Sequence, residues 1–185
     1  FWDGNVPSSI LNDAEITVYD LIDGSGWRIS PDDFANVLIQ TNSNGIIAVN
    51  ASYAIYGTSP NPIEVAAGYA ADFVRHMNND LNANIKYWEV GNENYGQWQA
   101  GYEVNGNQID GTDYGNIFNV FVDSMKAADP TIKIGAVIFP QDNNYNNWTR
   151  KVLQEVENSA DFLIIHDYFK RKNNPNNVTY PEMMI

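Results

Sequence analysis

Four apolar segments of strand length alternate with four amphipathic segments, and this order limits the fold more than any other feature of the sequence. Segments 45–52, 85–91, 132–139 and 161–169 are predicted strands, and segments 31–41, 62–78, 113–128 and 148–158 are predicted helices. The strand segments are largely apolar, which is typical of strands buried on both faces. Strict alternation of helix and strand predicts a parallel sheet built from βαβ units.

The expected fold is α/β, a (β/α)8 TIM barrel of which this chain contains a part. Four strands in about 125 residues match the density of such a barrel, and a complete barrel needs roughly 250 residues. Because the chain has 185 residues, we expect one partial barrel domain over residues 1–185, with about strands two or three to six present. A doubly wound open sheet is the alternative, but no glycine-rich phosphate loop follows a predicted strand.

The chain is strongly acidic, with 10 basic and 23 acidic residues and a net charge of -13. This charge repels a phosphate backbone and argues against nucleic acid as a partner. No apolar run is long enough to span a bilayer, so no membrane partner is expected. The sequence has no cysteine and two histidines, so neither a thiolate site nor a histidine metal site is expected, and no cofactor is predicted.

Segment 86–96 begins as a strand and ends as a polar loop. The apolar run stops at Gly91, and Asn92, Glu93 and Asn94 follow at the position where the strand ends. In parallel α/β folds, functional side chains collect at the carboxyl ends of strands, because the sheet fixes them while the following loop stays open to ligand. Glu93 is therefore the predicted catalytic acid, with a solvated loop carboxylate as the alternative.

Residues 87–96, Tyr-Trp-Glu-Val-Gly-Asn-Glu-Asn-Tyr-Gly, resemble the fourth-strand motif of the clan A glycoside hydrolases. Segment 113–137 also resembles the fourth helix and fifth strand of bacterial α-L-arabinofuranosidase-like members. This resemblance implies that Glu93 is the general acid/base, which protonates the glycosidic oxygen, and that Asn92 hydrogen-bonds the hydroxyl next to the anomeric carbon. It also implies a retaining mechanism whose nucleophile is a carboxylate on the seventh strand, beyond Ile185.

A retaining hydrolase needs two carboxyl groups about 5 to 5.5 Å apart. Glu89 is not the partner of Glu93, since residues four apart along a strand are separated by roughly 13 Å. Glu89 shares the parity of Glu93, so it is expected to point into the barrel, where a buried acid needs a basic partner.

Several other polar and aromatic residues are candidates for substrate binding. His166 and Tyr168 stand two apart at the end of the last predicted strand and therefore share a face; a capped strand end with Tyr168 in the core is the alternative. Asn50 ends the first predicted strand, where it either reaches a ligand or forms a turn. Aromatic faces in loops suit stacking on sugar rings, although each such residue alone is more often part of the packing; the candidates are Trp2, Tyr95 and Trp98.

The resulting hypothesis is a bacterial, α-L-arabinofuranosidase-like retaining hydrolase that acts on oligo- or polysaccharide. One alternative is an endo-acting glucanase, xylanase or agarase of the same clan, and another is a catalytically silent carbohydrate-binding barrel domain. A glutamate at the end of a seventh strand would separate hydrolysis from binding. Acidity and an abundance of Asn, Gly, Tyr and Trp favour a secreted or extracellular protein, and the two ends of the chain suggest a piece of something longer.

Overall fold

A four-stranded parallel sheet forms the centre of the computed structural model, which describes residues 30–57, 59–99, 102–104 and 107–166. In hydrogen-bonding order its strands are β1 (Ile46–Val49), β2 (Tyr87–Val90), β5 (Lys133–Ile138) and β6 (Phe162–Ile165). A separate antiparallel ladder, β3 (Glu103–Val104) with β4 (Asn107–Gln108), lies in the loop after β2. Neighbours in the main sheet follow the order of the sequence, so the predicted parallel α/β architecture is confirmed.

The helices precede or connect the strands of the main sheet, in the order that the alternation predicts. They are α1 (Pro31–Thr41), α2 (Ser52–Tyr56), α3 (Pro62–Arg75), α4 (Gly111–Ala128) and α5 (Trp148–Val156). The α3 helix continues as one π-helical turn, His76–Asp80. Side-chain caps fix two helix starts: Ser30 accepts from the Asp33 amide before α1, and Asp110 and Asp113 form a capping box at α4. No helix within the described ranges is both long and apolar enough to cross a bilayer.

The predicted boundaries differ from the observed ones mainly after the first strand. Segment 45–52 was predicted as one strand, but β1 stops at Val49 because the Asn50 side-chain oxygen accepts from the Ser52 amide at 2.7 Å. This turn starts α2 at Ser52, the last residue of the stretch predicted as a strand. Helical hydrogen bonding also begins earlier than predicted at α4, because Asp110 caps it. The last predicted strand, 161–169, extends in part beyond the described residues.

The core lies between the sheet and the helices on its outer face. Outward side chains of the strands pack against α3, α4 and α5; the fully buried ones include Trp88, Val90, Ile134 and Ala136. The opposite, inward face carries Ile46, Tyr87 and Glu89, by the alternation of side chains along a strand. Ile46 is 51% exposed and Tyr87 is 47% exposed, so this inner layer is open to solvent. The carboxyl ends of the strands meet at one edge, where the candidate site lies.

Candidate active site

A tight turn at the end of β2 fixes the direction in which the candidate site residues point. Gly91 adopts a φ of 80°, which favours glycine, and a β-carbon there would collide with the Asn94 side-chain oxygen. That oxygen accepts from the Asn92 amide at 3.0 Å, and Asn94 is buried. The Gly91 amide donates to the Val49 carbonyl at 2.9 Å, which ties the turn to β1. These hydrogen bonds therefore fix the backbone from which the side chains of Asn92 and Glu93 extend.

Glu93 lies between two partners that come from different parts of the chain. Its Oε2 accepts a hydrogen bond from the Trp98 indole nitrogen at 2.6 Å, and its Oε1 lies 2.9 Å from His166 Nδ1. The Glu93 side chain is only 12% exposed. His166 directly follows β6, so side chains from the carboxyl ends of β2 and β6 meet here. The structure thus brings together Glu93, His166 and Trp98, whereas Trp2 and Tyr168 lie outside the described residues.

Asn92 is exposed and is held by a residue that the sequence did not indicate. Its side-chain nitrogen donates to Gln99 Oε1 at 2.8 Å. Gln99 lies in the turn that also carries Trp98, and its amide donates to the Gly96 carbonyl at 2.9 Å. The sequence does not show where the side chain of a polar loop residue such as Gln99 points, because loops lack the periodicity that indicates side-chain direction in helices and strands.

Glu89 lies on the inward face of β2, four residues before Glu93 in the sequence. Its register partner on β5 is Gly135, which lacks a side chain. Burial raises the pKa of the Glu89 carboxyl, and the charge of His166 partly offsets this by lowering the pKa. His166, which contacts Glu93, is therefore also a basic group whose charge acts on Glu89.

Tyr95 does not present a stacking face, so this part of the prediction is wrong. It is 2% exposed and belongs to an aromatic cluster with Phe139, Tyr145 and Trp148, with ring centroids 5.0, 4.9 and 6.0 Å away. The turn after Asn94 directs the ring back into the core, where burial of a large aromatic surface is more favourable than exposure. Trp98, in contrast, is 43% exposed and offers a ring surface beside Glu93.

Asn50 stands at the carboxyl end of β1 and has a turn role in the structure, through its bond to the Ser52 amide. It also lines a cavity of about 160 Å³ together with Tyr53, Tyr69 and Phe73. A ligand contact for Asn50 stays a prediction. Among the described residues, no cluster of three His, Asp or Glu side chains could hold a metal ion.

Comparison with curated proteins finds arabinofuranosidases. The chain is 24% identical over 153 residues to intracellular exo-α-(1→5)-L-arabinofuranosidase 1 of Bacillus subtilis, covering 80% of this chain and 29% of that protein. It is 26% identical over 160 residues to the intracellular exo-α-(1→5)-L-arabinofuranosidase of Acetivibrio thermocellus, with the same coverage. The chain thus spans less than a third of the length of these relatives. No protein-family model matches it.

These relatives overturn one prediction. Both are intracellular, so the expectation of a secreted or extracellular protein is wrong. The expectation rested on acidity and aromatic content, and these properties reflect solubility and ligand chemistry in any compartment.

Comparison with solved structures also finds arabinofuranosidases. The α-L-arabinofuranosidase of Thermotoga maritima, in complex with arabinose, has a TM-score of 0.56 and 26% identity, covering 78% of this chain and 29% of that one. The family 51 α-L-arabinofuranosidase AbfB of Bifidobacterium longum, at 21% identity, has a TM-score of 0.58 and shows the shared fold. The partial TIM barrel predicted from the sequence is thereby confirmed. Over about four-fifths of its length, this chain is similar in sequence and in fold to the family 51 α-L-arabinofuranosidases.

Proposed function

We propose that this chain supplies the acid/base half of a retaining, α-L-arabinofuranosidase-like active site, with Glu93 as the general acid/base. The observation that carries the proposal is the setting of Glu93: it follows β2 at the carboxyl edge of the sheet, is largely shielded from water, and contacts His166 and Trp98. The similarity to arabinofuranosidases supports a glycoside hydrolase, and the arabinose complex of a structural neighbour supports a sugar as the ligand.

In the proposed reaction Glu93 acts in both steps, first as a general acid and then as a general base. It first gives its proton to the glycosidic oxygen as the bond to the anomeric carbon breaks and an ionised carboxylate attacks that carbon. It then takes a proton from water, which attacks the same carbon and releases the carboxylate. The attacking carboxylate is proposed to come from a seventh strand outside this chain, as the resemblance to the clan A glycoside hydrolases implies.

The contact between Glu93 and His166 fits both roles. When Glu93 is protonated, its hydroxyl can donate to an unprotonated Nδ1 of His166; when Glu93 is ionised, a protonated Nδ1 can donate to its oxygen. Asn92 is the exposed residue immediately before Glu93 in the same turn, and its side-chain nitrogen donates to Gln99. Its proposed role is a hydrogen bond to the sugar hydroxyl beside the anomeric carbon, which strengthens as positive charge develops in the transition state.

The decisive test is Glu93→Gln in the whole protein. The amide keeps the shape of the site but cannot give a proton, so the rate on substrates with poor leaving groups should fall by about 10² to 10⁴-fold. Aryl arabinofuranosides with good leaving groups should lose less at the first step. Glu64→Gln, an equal change on the exposed first turn of α3, is the control. An unchanged rate on natural glycans would remove Glu93 from the mechanism, whereas no hydrolysis by the unaltered whole protein would leave carbohydrate binding as the better hypothesis.

A second consequence concerns the 185 residues by themselves. Because the proposed nucleophile lies outside them, this chain alone should not hydrolyse an arabinofuranoside whatever the state of Glu93. Turnover by the purified chain, abolished by Glu93→Gln, would show that the second carboxylate lies within it.

A further inference from the structure

The turn that follows Glu93 holds both members of the Asn-Glu pair through two consecutive side chains. Trp98 donates to Glu93 Oε2 at 2.6 Å, and Gln99 accepts from the Asn92 side-chain nitrogen at 2.8 Å. Backbone hydrogen bonds close the turn, from the Gly96 amide to the Glu93 carbonyl and from the Gln99 amide to the Gly96 carbonyl. One short loop therefore contacts both residues that the proposed mechanism uses.

We propose that Trp98 and Gln99 form a clamp, a pair of positioning residues that fixes the carboxyl of Glu93 and the amide of Asn92 in their reactive orientations. The inference rests on the proposed function of Glu93 and extends it to two residues outside the Asn-Glu motif. Gln99 accepts a hydrogen bond from the side-chain nitrogen of Asn92. The side-chain oxygen of Asn92 therefore faces away from Gln99. Trp98 acts on one carboxylate oxygen of Glu93 while His166 contacts the other.

The clamp is itself anchored in the core. Trp98 packs edge-on against Tyr95 and Tyr145, with ring centroids 6.3 Å away in each case. Tyr95 is buried against Phe139 and Trp148, and the Trp148 indole donates to the Val137 carbonyl of β5 at 3.0 Å. The indole plane is thus fixed by the β5 end of the sheet, so the N–H of Trp98 is directed at Glu93 without depending on the loop backbone alone.

Trp98→Phe removes the N–H donor and keeps an aromatic ring, so it separates positioning from stacking. A lost hydrogen bond to a charged group should lower kcat/KM by about tenfold to a hundredfold. If Trp98 positions the acid, this loss appears in kcat and is largest for poor leaving groups, as for Glu93→Gln. A loss that is equal for all leaving groups, or that appears only in KM, would overturn the role of Trp98 in the clamp.

Gln99→Met removes the acceptor at similar volume, and Gln97→Met makes the same change on an exposed neighbour. We expect kcat to fall about twofold to tenfold for Gln99→Met and to be unchanged for Gln97→Met. In a double-mutant cycle, Gln99→Met should cost nothing further once Asn92 is alanine, because its only proposed action is on that amide. Full additivity of the two losses would overturn the role of Gln99.

A spectroscopic readout separates failure of the clamp from failure of the proposed function. The chain has five tryptophans, so the indole N–H signal of Trp98 is identified by its loss in Trp98→Phe. This signal should move upfield in Glu93→Gln and stay in place in Gln97→Met, because a carboxylate is the stronger acceptor. An unmoved signal would overturn the clamp. A moved signal with full activity in Glu93→Gln would instead reject the proposed function and leave the contact as a structural one.

Discussion

Replacing Tyr114 by phenylalanine should destabilise the sheet at the point where it supports the candidate site. The Tyr114 hydroxyl is fully buried, donates to the Val90 carbonyl of β2 at 2.8 Å, and accepts from the Val137 amide of β5 at 2.9 Å. Each such bond contributes about 0.5 to 1.5 kcal/mol net, so the loss of both should lower the free energy of unfolding by about 1 to 3 kcal/mol. Val90 immediately precedes Gly91, and the hydroxyl therefore anchors the base of the site.

The measurement is equilibrium urea unfolding, followed by the fluorescence of the buried Trp88 and Trp148 at low protein concentration. Burial raises the pKa of Tyr114, and the charge of Glu89 raises it further, so the hydroxyl keeps its proton near neutral pH and the loss should not vary there. The matched control is Tyr87→Phe, which removes the hydroxyl of a half-exposed tyrosine on β2 and should change stability by less than about 0.5 kcal/mol. A Tyr114→Phe variant as stable as that control would refute the reasoning.

Three further predictions concern the site, the helices and the chain as a whole. Asn92→Ala should lower kcat more than it raises KM, since its proposed hydrogen bond strengthens in the transition state; a pure KM effect in steady-state kinetics would contradict this. The hydrogen bond to Asp32 raises the pKa of His76, so its contribution to stability is complete below the ordinary histidine pKa and is lost as pH rises through the raised value. His76→Gln should therefore flatten the fall in melting temperature as pH rises above the ordinary histidine pKa of about 6.5, and an unchanged profile would exclude His76 as the source of that fall. The inward face at Ile46 and Tyr87 should make the isolated chain associate as its concentration rises, which light scattering measures; a monodisperse chain at high concentration would argue against it.

The sequence by itself determined the order of elements and the location of the candidate acid. Helical and strand periodicities are local properties, so α1 and the alternation of helix and strand could be read directly from residue order. Gly91 followed by Asn92 and Glu93 marked a strand end for the same reason. The sequence also placed His166 at a second strand end, and the parallel sheet then required the two ends to meet at one edge.

Only the tertiary structure determined where the side chains of the loop residues point. Tyr95 and Trp98 are three residues apart in one loop, yet the first is buried and the second donates to Glu93, because the turn at Gly96 sends their side chains in different directions. The path of the same loop also brings Gln99 into contact with the side chain of Asn92. Hydrogen bonds of 2.6 to 2.9 Å need atomic placement, and an aperiodic loop encodes that placement only through its packing against residues distant in sequence, here His166 and the aromatic cluster around Tyr145.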